Sequence, residues 1–175
     1  MGLSGQLLVG MADIKVASGQ ATYTCLGLGS CIGLLLIDEQ AGVSGMIHIM
    51  LPEAFKDKPV DKVGKFADTG IPAMIAQMED LGANKSRMIA AYAGGAQVFK
   101  FGAEAASRLD VGARNGDAVA TILKKLAIRV VAHDIGGSSG RTVIFSVAEG
   151  TFRVRTVQGG ENVLCTFRRA MREAA

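Results

Sequence analysis

Two short apolar runs joined by a cluster of turn-forming residues constrain this chain more than any other feature. The first run is 31–37, Cys-Ile-Gly-Leu-Leu-Leu-Ile; the second is 43–51, closed by Pro52. Between them lie Asp38, Glu39, Gln40, Ala41 and Gly42. Run length and turn chemistry favour two strands of a hairpin over a helix. With a four-residue loop at 38–41, Ile37 pairs with Gly42. That register sets Cys31 directly opposite His48 on one sheet face, with Cβ atoms about 4.5–5.5 Å apart. It gathers Ile32, Leu34, Leu36, Val43 and Ile47 on the other face, which is wholly apolar and expected to be core. A slip of one residue would part Cys31 from His48.

The rest of the chain bounds what this hairpin belongs to. At 175 residues it has the length of a single domain, 1–175, with 166–175 read as a flexible basic tail carrying Arg168, Arg169 and Arg172. Hydrophobic residues at 49% against 20% charged argue against disorder. A net charge of +3 is too small, and too concentrated in that tail, for a dedicated nucleic-acid binder. No apolar run approaches the ~20 residues that cross a bilayer, so no membrane insertion is expected. Residues 1–10 lack the basic start and apolar stretch of a signal peptide. The expected location is therefore cytoplasmic, with Cys25, Cys31 and Cys165 as thiols. Two histidines and no Cys-x-x-Cys leave no basis for a structural zinc site, and no cofactor is expected.

Residues 6–16 and 20–28 read as short strands about a turn at 18–20, and 53–64 as a polar loop. A helical face runs over 65–81 through Phe66, Met74, Ile75, Met78 and Leu81, with Gly82 as its stop. Pro72 inside it is expected to kink or break the helix. Residues 87–93 read as a strand, 113–126 as a helix and 128–132 as a buried strand. A hairpin follows at 141–147 and 151–157. The fold class is α+β, with more strands than helices.

A thiol beside an imidazole suggests a nucleophile and its base, because the imidazole takes the thiol proton and stabilises the thiolate. The glycines before Cys31, in Leu26-Gly27-Leu28-Gly29-Ser30, leave backbone N–H groups uncovered. Gly29 and Ser30 are therefore candidates to bind substrate or an oxyanion. Against this, a strand cysteine is most often plain core. Cys25 and Cys165 read as packing residues, and His133, beside Asp134, as a surface or hydrogen-bonded histidine. Gly27, Gly29 and Gly33 form a weak phosphate-loop match that lacks the following helix and partner carboxylate. A thioesterase or peptidase remains open on this chemistry alone.

The residues resemble a family. Leu26-Gly27-Leu28-Gly29-Ser30-Cys31 with His48-Ile49-Met50-Leu51-Pro52 is similar to the CheD chemoreceptor glutamine deamidases. The likeness continues through Ala93-Gly94-Gly95-Ala96, Gly112-Ala113-Arg114-Asn115, Asp134-x-Gly136-Gly137 and Arg141. The resemblance implies layered mixed β-sheets flanked by helices, similar to the cytotoxic necrotizing factor deamidase fold. It implies hydrolysis of glutamine side-chain amides in the cytoplasmic helices of chemoreceptors and, in some members, of glutamate methyl esters. Cys31 matches the nucleophile and His48 the general base. It also brings in a CheC-type phosphatase as a partner of some members. The alternative is a module that docks on receptors or that phosphatase with little activity. One position departs: the family's catalytic threonine, six places before the nucleophile, is here Cys25, with Thr24 beside it. The orienting role then falls to Cys25 weakly, to a backbone carbonyl, or to Thr24 through a bulge; or the third residue only tunes the rate.

Overall fold

The structure, a computed structural model, describes residues 5–98 and 110–167. In chain order it forms β1 (Gly5–Leu8), β2 (Ile14–Ser18), β3 (Ala21–Leu28), β4 (Ile32–Asp38), β5 (Val43–Ile49), α1 (Ala67–Asp80) and β6 (Ile89–Gly94). Then come α2 (Val111–Lys125), β7 (Arg129–Ile135), β8 (Arg141–Ser146), β9 (Thr151–Thr156) and β10 (Gly160–Thr166). The strands make two mixed sheets, an outer one ordered β1-β3-β8-β9-β10 and a central one ordered β2-β5-β4-β6-β7. Strand pairs β1/β3 and β6/β7 are parallel. No helix among the described residues is long and apolar enough to cross a membrane.

The expected α+β layering is present, as sheet on sheet on helices. Leu35, Ile37 and Met46 of the central sheet meet Tyr23, Val143, Phe145 and Phe152 of the outer sheet. On the opposite face Ile32, Leu34, Leu36, Val43 and Ile47 pack under Ile71, Met74 and Met78 of α1 and Val119 and Leu123 of α2. Both helices thus cover one side of the central sheet. Every residue of β4 and β5 is buried, which is why their sequences run apolar instead of alternating. Each fully buried Leu or Ile there contributes roughly 1.5–3 kcal/mol of transfer free energy.

The hairpin differs from the expected pairing in its register. Asp38 pairs with Val43 and Gly33 with His48, a shift of two residues. The cause is Asp38, which stays in the strand and accepts the N–H groups of Gln40 (3.1 Å) and Ala41 (3.2 Å) on its carboxylate. Gly42 closes the loop in the left-handed region at φ +67°, so the loop is 39–42. Asp38 is further held by Arg87 Nη2 at 2.8 Å and the Asn84 N–H at 2.8 Å. Because the shift is even, each side chain keeps its face.

Four other expectations change. The stretch 6–16 is two strands separated by a turn, in which the Gly10 N–H bonds Asp13 Oδ2 at 3.0 Å and Ala12 takes φ +65°. Helix α1 runs unbroken through Pro72. The carbonyl that Pro72 leaves without a donor belongs to Asp68 in the exposed first turn, where water can satisfy it. Strand β7 is a half-buried edge and not a buried strand. Strand β10 was not foreseen; it ends at Thr166, and Phe167 stacks edge-on against Phe145 with centroids 5.5 Å apart. Thr166 and Phe167, expected in the tail, are thus placed by β10 and by Phe145, and the rest of the expected tail, 168–175, lies outside the described residues.

Candidate active site

His48 lies on the face of β5 that looks between the sheets, one step from Met46 on the same side. The turn between β1 and β2 wraps it. His48 N–H donates to Asp13 O at 3.1 Å, and Ala12 N–H to His48 O at 3.0 Å. Its Nδ1 lies 3.1 Å from the carbonyl of Val9. A carbonyl only accepts, so Nδ1 carries the proton and Nε2 keeps its lone pair. Val9 is held in turn by its own N–H to Thr24 O at 2.8 Å. Of the orienting partners left open for His48, a backbone carbonyl is the one within hydrogen-bond distance of its ring. Among the described residues the side chains of Thr24 and Cys25 make no hydrogen bond to His48, and Cys25 lies in the β3/β8 ladder opposite Val143.

Cys31 sits just before β4. Continuing the register sets it beyond the Ile32–Ile49 pair, so His48 is its diagonal neighbour and not its direct partner. Diagonal neighbours on one face have Cα atoms about 7–8 Å apart and Cβ atoms somewhat closer. The residue directly across from His48 is Gly33, which puts no side chain into that space. A Cβ built on Gly33 would come 2.8 Å from Val143 Cγ2 and 3.5 Å from Cys25 Cβ. Cys25 is fully buried in the cluster between the sheets, and Cys31 packs against that cluster from its edge.

The loop before β4 is held by its carbonyls. Gly29 O accepts the Ala96 N–H at 2.8 Å and Cys31 O accepts the Gly95 N–H at 2.9 Å. Asn115 of α2, fully buried, donates from Nδ2 to Ser30 O and to Met50 O, both at 2.9 Å. Glycines permit this approach. A Cβ on Gly94 would strike the Cys31 carbonyl, and one on Gly112 would lie 2.6 Å from both Gly95 O and Ala96 O. Arg141 supports the same end from behind. Its buried guanidinium donates to Asp134 O at 2.6 Å and to Gly136 O. A cleft of about 410 Å³ is lined by Leu51, Pro52, Phe55, Val111 and Arg114; another of about 390 Å³ is lined by Gly27, Arg141 and Arg155.

Burial sets the protonation states. It lowers the His48 pKa below 6.5, against the opposing pull of the Val9 carbonyl and the Asp13 carboxylate. Burial pushes the Cys31 thiol up. Burial also raises Cys25, with Cys31 and Asp13 adding to the shift, and it lifts Cys165 to about 11. The resting pair is then neutral thiol and neutral imidazole. Chemically, such groups could act together only by transferring the proton as the sulfur attacked, with no preformed thiolate.

Sequence reasoning brought Cys31, His48, Gly29 and Ser30 to this one place but missed two contributors. Asn115 sat in a motif with no role attached, and a buried asparagine on a helix face was the available signal. Val9 acts through its main chain, for which side-chain identity carries no signal. His133 is exposed and stacks on Tyr92 with centroids 5.6 Å apart, away from these residues.

A thiol and an imidazole whose Nδ1 is engaged lie at one end of a fold of two sheets and one helix layer, and together they are the candidate site. A family model described as CheD chemotactic sensory transduction matches residues 50–156. A Desulforamulus reducens protein named "Probable chemoreceptor glutamine deamidase CheD" is 44% identical over 154 residues, covering 88% of this chain and 92% of that one. A protein of the same name from Syntrophomonas wolfei is 41% identical over 162 residues, covering 93% and 100%. Among solved structures, Neisseria meningitidis protein NMB0706, of family DUF152, aligns over 77% of this chain and 63% of that one, with a TM-score of 0.45 and 12% identity. The chain belongs to the CheD family.

Proposed function

We propose that this protein hydrolyses glutamine side-chain amides in the cytoplasmic helices of chemotaxis receptors, with Cys31 as nucleophile and His48 as general base. The observation that carries the reading is the His48 tautomer. The Val9 carbonyl engages Nδ1, so Nε2 is left as an acceptor on the face that Cys31 shares. Nε2 takes the thiol proton as Sγ bonds to the amide carbon. The imidazolium then protonates the amide nitrogen, the C–N bond breaks and ammonia leaves a thioester on Cys31. Water gives a proton to Nε2 and attacks the thioester; glutamate departs and the thiol regains its proton. The same acyl-enzyme would form from a glutamate methyl ester, with methanol leaving. This reading places the activity in the cytoplasm, on receptor helices, with a CheC-type phosphatase as a further partner.

Receptor fragments incubated with the protein and analysed by peptide mass spectrometry should gain 1 Da at specific glutamines, the difference between amide and acid. Cys31→Ala should abolish the gain while the protein stays folded, because one small group is lost. Receptor binding with no mass change at any glutamine would replace the enzyme by a docking module.

A further inference from the structure

Three consecutive carbonyls, those of Gly29, Ser30 and Cys31, are each engaged by a donor from the 95–96 segment or from α2. The donor to the middle one is a side chain, Asn115 Nδ2. The Ser30–Cys31 peptide is trans, as are all the described peptides, so its C=O and N–H lie in one plane and point in opposite directions. By drawing Ser30 O toward α2, Asn115 turns the Cys31 N–H away from α2. No described residue accepts a backbone hydrogen bond from that N–H. The far side is also where the Cys31 side chain packs, against the cluster between the sheets, whereas α2 covers the opposite face.

We infer that Asn115 is a positioning residue for amide hydrolysis, one that aims the Cys31 N–H at the oxygen of the amide under attack; this rests on Cys31 being the nucleophile. A fixed N–H beside the sulfur meets the requirement for stabilising the tetrahedral oxyanion. The amide orientation of Asn115 is set by its neighbours. Both contacts are carbonyls, so the NH2 group faces them. Among the described residues its Oδ1 is then buried with no partner, an unfavourable state that an apolar residue of similar volume would avoid. The worth of Asn115 therefore lies in its two donors. The second donor holds Met50 O, two residues past His48, so one nitrogen sets the nucleophile's peptide against the strand that carries the base.

The test compares Asn115→Ala and Asn115→Leu with the parent on a receptor-derived glutamine peptide and on iodoacetamide alkylation of Cys31. Alkylation is a displacement in which no oxyanion forms. Losing one aimed donor should lower kcat by about 100-fold or more, with KM and the Cys31 alkylation rate both held within a few fold. A kcat like the parent's, or kcat and alkylation falling together, overturns the inference, because the second result means a displaced thiol and not a lost donor. A measurement on the parent protein covers the case where neither variant folds. With 15N-cysteine labelling, the Cys31 amide signal is assigned by its loss in Cys31→Ser. It is followed as a peptide aldehyde, replacing the carboxamide, adds to Cys31; the S–C bond forms and the thiol proton passes to the aldehyde oxygen. The amide proton should move downfield in this adduct and not on alkylation. An unmoved amide overturns the inference. Failure of the aldehyde to add overturns the nucleophile assignment and this inference with it. A parent protein that binds the aldehyde yet deamidates no receptor peptide sinks only the proposed substrate.

Discussion

Gly33→Ala probes the closest approach of the two sheets at the site. A Cβ on Gly33 would stand 2.8 Å from Val143 Cγ2, 3.1 Å from Leu28 Cδ1 and 3.5 Å from Cys25 Cβ. Val143 is fully buried and branched at Cβ, so its methyl has little freedom to turn aside. Overpacking of this kind costs about 1–3 kcal/mol. Alanine returns about 0.4–1 kcal/mol by narrowing the unfolded ensemble. The net expectation is a loss of about 1.5 kcal/mol, or about 3–6 °C in Tm for a chain of this length. Turnover should fall as well, because Gly33 is the cross-strand partner of His48 and a shift near 1 Å can cost about 100-fold. Thermal melts followed by circular dichroism, with kcat on the same preparations, measure both. Val143→Ala removes the methyl in the way, so the double variant should lose less than the sum of the two singles. A Gly33→Ala protein as stable as its parent, or a strictly additive cycle, would refute the close approach.

Burial depresses the His48 pKa, so the neutral imidazole survives below pH 6.5. The acid limb of kcat/KM should therefore lie below that pH; a limb at or above it contradicts the buried base. Burial works to raise the Asp38 pKa, but the Arg87 side chain and the Asn84 and Ala41 N–H groups outweigh it and hold the carboxyl below 3.8. Its stabilisation is present above that pH and is lost as pH falls through the lower folded value. Asp38→Asn should cost about 1–3 kcal/mol at neutral pH and flatten urea-derived stability over that acid interval. Cys25→Ala should lower Tm and leave kcat within about twofold, since the Val9 carbonyl holds Nδ1; a tenfold fall in kcat would return Cys25 to the chemistry.

Legibility followed the range of each interaction. The hairpin was readable because its apolar residues and turn are contiguous, and its wholly apolar face came out as the helix-covered core. Its register was two residues off because the side chain of Asp38, not turn composition, decides where the loop starts. The strand break at 9–13 was hidden inside a run of acceptable strand residues, and it exists to place a carbonyl against a histidine 39 positions away. Asn115 meets Ser30 and Met50 across 85 and 65 positions. Local patterns cannot encode such meetings; only the packed sheets and helix create them. Strand β10 was missed because its residues are largely exposed, which removes the apolar alternation that marks a half-buried strand.

The central hairpin and the turn that orients its histidine differ in how easily they open. Strands β4 and β5 are covered on both faces, so their amides should exchange with solvent only when the whole molecule unfolds. Strand β1 is a short, exposed edge of four residues, paired on one side, and should exchange through small local openings. Val9 follows it directly. The single hydrogen bond from His48 Nδ1 to Val9 O thus joins a strand covered on both faces to a residue next to a short, exposed edge strand. An opening of β1 that carried Val9 with it would leave the imidazole without its Nδ1 partner, so fraying of an edge strand reaches a side chain buried between the sheets.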